Sequence, residues 1–110
     1  MKKYTDKWSK SKVRSALLAV VNPETAAVDV HPNEMWGAIR PDHSSGETVR
    51  QFGAVTHELR ELVKWFKDSG ATTVAMEATG VYWLPLYELL EAEGFRVCLV
   101  NARHVKNVPG

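Results

Sequence analysis

Apolar residues recur along the chain at two different spacings, and the switch between them predicts the order β-β-β-α-β-α-β. Residues 25–31 alternate, with Val28 and Val30 on one side and Ala27, Asp29 and His31 on the other. This reads as a strand. Pro32 and Asn33 turn the chain, residues 35–39 make a second strand, and the turn formers of 41–46 lead into a third at 48–54, giving an antiparallel meander. Spacing then changes. Leu59, Leu62, Val63 and Phe66 form the stripe of a helix from Thr56, its expected N-cap, to about Ser69, with Gly70 as its stop. Small and β-branched residues from Ala71 to Met76 predict a buried strand. After Gly80, Trp83, Leu86, Tyr87 and Leu90 recur at helical spacing up to about Glu93, and Gly94 precedes a last strand at 95–100. Helical crossovers between the later strands imply parallel pairing there.

With 110 residues, 45% hydrophobic and 25% charged, the chain has the composition of one small globular domain. The net charge of +1 conceals an uneven distribution. Lys2, Lys3, Lys7, Lys10, Lys12 and Arg14 face only Asp6 within the first 14 residues, whereas the remainder is mildly acidic. Residues 1–21 therefore read as a basic arm, with a short helix predicted over 9–21, and residues 22–110 as the folded domain. Such an arm suits non-specific attraction to phosphate backbones, and equally a solvated terminus. Cys98, the single cysteine, excludes a disulfide framework and cysteine-based zinc spacing, and is expected to pack as a small core residue. The apolar run 16–21 is too short to span a membrane, and no clean cleavage pattern follows it. A cytoplasmic protein is expected.

Two acidic residues break the pattern. Asp29 lies between valines in a strand, where an uncompensated carboxylate is costly. Glu77 closes an apolar strand just before a glycine turn and a helix, the position at which open α/β sheets hold ligands. For each a structural role competes: Asp29 bonded to backbone or water, Glu77 helping to cap the next helix, a task Thr79 also suits. Tyr82 and Trp83 suit base stacking, yet Trp83 belongs to the apolar stripe, and Trp36 and Trp65 are assigned to packing. His31 shares Asp29's face and is assigned a structural hydrogen bond rather than catalysis. Arg103, His104 and Lys106 follow the last strand, placed to meet phosphates or to keep the end soluble.

Three sequence stretches carry a resemblance: Ala27-Val28-Asp29-Val30-His31, the run from Val74 to Trp83, and the run from Leu99 to Gly110. Residues from about 22 to 110 resemble the N-terminal part of DEDD-type insertion-sequence transposases, the "one-ten" class to which the Piv DNA invertase belongs, whose catalytic domain resembles the RuvC resolvase. The resemblance implies a ribonuclease-H-like, RuvC-like mixed α/β sheet, truncated at its C-terminal end. It also implies DNA strand cleavage and transfer in transposition, with Asp29 and Glu77 as the first two acids of four. Such chemistry holds two divalent cations about 3.5 to 4 Å apart, and Mg2+, or Mn2+, prefers carboxylate oxygens.

In the family, the third and fourth aspartates and a serine-bearing domain follow the stretch that ends here at Gly110. Glu88, Glu91 and Glu93 lie on or near the polar side of a helix and do not replace them. The chain by itself is accordingly expected to be an inactive fragment of a transposase. Implied partners are DNA, a structured guide RNA, a second copy of the chain and a full-length transposase; no membrane is expected. Two alternatives remain open from the residues. One is a non-catalytic fragment that interferes with an intact relative. The other is a small nucleotide-binding module, against which the absence of a Gly-x-Gly-x-x-Gly or Walker loop counts.

Overall fold

β1, Thr25–Val30, is buried along its whole length, as expected of a central strand whose residues are mostly small or β-branched. The computed structural model describes residues 24–40, 46–78 and 80–100. β2 spans Glu34–Ala38 and β3 spans Val49–Gly53. The helix α1 follows at Thr56–Asp68, then β4 at Thr73–Ala78, α2 at Leu84–Ala92 and β5 at Arg96–Val100. The sheet order is β3-β2-β1-β4-β5. Its first three strands pair antiparallel, while β4 lies parallel to both β1 and β5. The connection through α1 therefore carries the chain from one edge past β2 and β1 before β4 pairs. That crossover brings the distant segments of the sequence side by side.

Both helices cover one face of the sheet. Leu59, Leu62, Val63 and Phe66 of α1, with Leu86 and Leu90 of α2, pack into one core with Val28, Val30, Met35, Val74 and Met76. These are the residues that the two periodicities select. Gly37 explains how α1 approaches β2 so closely: a Cβ there would lie 2.8 Å from Leu62 Cδ1 and 3.2 Å from Trp65. Gly70 and Gly94, with φ of 87° and 91°, end α1 and α2 in the left-handed region that favours glycine. On the opposite face Ala27, Trp36, Ala38 and Ala75 form a second buried cluster, with Val49 packed against it.

Three local expectations need correction. Thr56 is the first helical residue rather than the cap; Val55 is the N-cap in extended geometry and makes no side-chain cap bond. Glu58, in the first turn, instead accepts the backbone N–H of Gly53 at 2.6 Å through Oε1, tying the end of β3 to α1. β4 starts at Thr73 rather than Ala71 and ends at Ala78, one residue beyond the close expected at Glu77. Cys98 is exposed, because β5 is an edge strand whose side chains receive little cover. The arm at 1–21, the helix predicted over 9–21 and the cap assigned to Thr79 lie outside the described residues.

Candidate functional site

Asp29 and Glu77 are direct partners in the parallel register of β1 and β4. Side chains of in-register neighbours project to the same face, and adjacent strands lie about 4.8 Å apart. The two carboxylates thus stand side by side near the carboxyl ends of their strands. Their face is the one that carries Ala27 and Ala75, opposite the two helices. Across β2 the register partner of Asp29 is Trp36, and across β5 that of Glu77 is Val100. Apolar neighbours therefore flank an acidic pair.

The two acids differ in access. Asp29 is only 3% exposed, whereas Glu77 is half-buried. His31, one residue beyond β1, stands within hydrogen-bond distance of Asp29, with Nε2 3.1 Å from Oδ2. An ionised carboxylate has no proton to give, so the ring nitrogen is the donor. The backbone N–H of His31 donates to the Glu34 carbonyl at 2.9 Å, which fixes the turn between β1 and β2 beneath the ring. Trp36 directs its indole N–H to Glu34 Oε2 at 3.2 Å.

Beyond β4 the chain turns through Gly80, whose φ of 69° is readily available to glycine. Tyr82 folds its ring towards that glycine and remains 50% exposed, beside exposed Val81 and Leu84. Trp83 is partly buried against the main core and meets Tyr87 edge-on at 5.5 Å, in keeping with its assignment to packing. Trp36 is buried, and Trp65 packs against the core beside Phe52 and Phe66. Lys2, Lys3, Lys7, Lys10, Lys12, Arg14, Arg103 and Lys106 lie outside the described residues. What sequence reasoning missed is the contact from His31 to Asp29. Their shared face was visible in the alternation; the turn that locks the ring over the carboxylate was not.

Chemically, the pair offers hard oxygen donors of the kind that suits Mg2+ or Mn2+, and Mg2+ is commonly held by one or two carboxylates with water completing its shell. Among the described residues no group of three or more His, Cys, Asp or Glu side chains is arranged to hold a metal.

An antiparallel meander joined to parallel strands in the order β3-β2-β1-β4-β5, with an acid on the central strand and a second beside it, defines a ribonuclease-H-like domain. The sequence comparison extends this from fold to lineage. Residues 26–110 match the family described as transposase, in its DEDD class of the IS110 insertion sequences, and the chain belongs to that family. Comparison with curated proteins gives no match. No helix among the described residues is long and apolar enough to cross a membrane.

Proposed function

We propose that Asp29 and Glu77 are two ligating acids of a metal-dependent DNA strand-transfer centre. The observation that carries the reading is their in-register pairing on β1 and β4, which sets two carboxylates on one face at the carboxyl end of the parallel strands. Mg2+ or Mn2+ bound there supplies charge stabilisation for the attacking and leaving oxygens of an in-line phosphoryl displacement.

The chain's own residues divide the remaining work. Asp29, rigid in the central strand, provides a fixed oxygen donor, and Glu77, half-buried near the end of β4, provides one closer to solvent. The buried surface of Ala27, Ala75 and Trp36 excludes water from the inner side of the pair. Lys2, Lys3, Lys7, Lys10, Lys12 and Arg14 attract DNA through its phosphates, and Arg103 and Lys106 extend that attraction to the end of β5.

Titration of the 110-residue chain with Mn2+, followed by the loss of the free-ion electron paramagnetic resonance signal, tests the reading. Binding by the wild type that is abolished in both Asp29→Asn and Glu77→Gln is expected. Equal binding by all three proteins would refute a site at this pair.

A further inference from the structure

We propose that His31 is a positioning residue for Asp29: it holds the carboxylate in one rotamer so that its other oxygen faces Glu77. This rests on the metal-binding reading above and adds a residue to it. An aspartate carboxylate on a strand can rotate about its terminal bond, and that torsion is broad. Here Oδ2 accepts a hydrogen bond from His31 Nε2 at 3.1 Å. Pinning one oxygen leaves Oδ1 turned away from the imidazole.

Three features keep the ring in place. His31 lies two residues after Asp29 and continues the alternation of β1, so its side chain projects from the same face. Its backbone N–H is bonded to the Glu34 carbonyl at 2.9 Å. Pro32 follows, and a residue before proline is confined to extended geometry. The ring is therefore held from its own backbone, with its side chain 27% exposed while that of Asp29 is 4% exposed. A donor of this kind behind a ligating carboxylate orients it, and loss of such outer partners typically lowers metal affinity about 10- to 100-fold. Sequence alone assigns His31 only a structural hydrogen bond; the acceptor it meets gives that bond a consequence for the site.

The test compares donor-retaining and donor-lacking variants of the full chain by Mn2+ affinity, with thermal unfolding as a fold control. His31→Gln places an amide N–H close to where Nε2 stands, while His31→Ala and His31→Leu offer no donor. Expected is a loss of Mn2+ affinity of about tenfold or more in either donor-lacking variant that folds, and recovery of most of it in His31→Gln. Wild-type affinity in His31→Ala or His31→Leu overturns the proposal, as does a His31→Gln variant that folds normally yet binds as weakly as His31→Ala. Wild-type protein that binds no Mn2+, or binding that persists in Asp29→Asn, instead overturns the metal-binding reading and with it this role for His31.

Discussion

Asp29→Asn should stabilise the metal-free protein and remove its response to metal. Asp29 and Glu77 face each other across neighbouring parallel strands, and Asp29 is 3% exposed. Like charges separated by one strand spacing, about 5 Å, would repel by roughly 3 kcal/mol at an effective dielectric constant near 20. Glu77 is half-buried, so water screens part of this. Asparagine keeps an oxygen that accepts from His31, exchanging a charge-assisted bond for a neutral one at a loss of about 1 kcal/mol. The net gain is about 1 to 2 kcal/mol. For a domain of this size, each kcal/mol is worth about 4–8 °C at the melting point. Urea unfolding at neutral pH in the presence of a chelator measures the gain as a higher midpoint at unchanged slope.

Saturating Mn2+ reverses the order. At a free concentration one hundred times its dissociation constant, a ligand that binds only the native state adds about 2.7 kcal/mol. The wild type should receive that increment and Asp29→Asn should not, so their stabilities cross as metal is added. A variant less stable than wild type in chelator would refute the electrostatic reasoning, because it would mean that the native carboxylate is a net stabilising group. Parallel curves with no crossing would refute the assignment of Asp29 as a ligand.

Gly37→Ala should cost about 1–3 kcal/mol by overpacking, since the added Cβ would meet Leu62 Cδ1 at 2.8 Å; chemical unfolding followed by tryptophan fluorescence checks this. Thr25→Val should be neutral or stabilising by about 1 kcal/mol, because Thr25 Oγ1 is buried with no hydrogen-bond partner among the described residues, and thermal unfolding reports it. Glu58→Ala should cost about 1–3 kcal/mol by removing the acceptor for the Gly53 N–H, with faster amide exchange at Gly53 as the specific signature. Lys67 donates to Glu93 and holds its carboxyl below the usual carboxylate range, so the small stabilisation from this exposed pair is complete above the unfolded pKa and is lost as pH falls through the folded one. Lys67→Met should flatten that acid limb in stability measured against pH.

The fold was largely legible because its two periodicities are clean. Val28 and Val30, then Leu59, Leu62, Val63 and Phe66, enter the core as their spacing requires. Asp29 and Glu77 stood out as charges where burial disfavours them, and the structure makes them neighbours. Their pairing itself is not written locally: it depends on the crossover that inserts β4 beside β1. The bond from Glu58 to Gly53 was hidden for a related reason, since it joins two elements whose approach is set by packing. Cys98 misled because small apolar character does not distinguish an interior strand from an edge.

The passage of α1 across the meander also sets the order in which a chemical centre can come into being. β1, β2 and β3 can zip together by short-range hairpin closure, on a microsecond scale in isolated hairpins. β4 must wait for a long loop to close before it finds β1, and contacts of that range slow folding. Until β4 pairs with β1, Asp29 has no acidic neighbour in the sheet. Competence to bind a cation then reports the pairing of β4 with β1, and metal added during refolding should capture molecules only after β4 has docked.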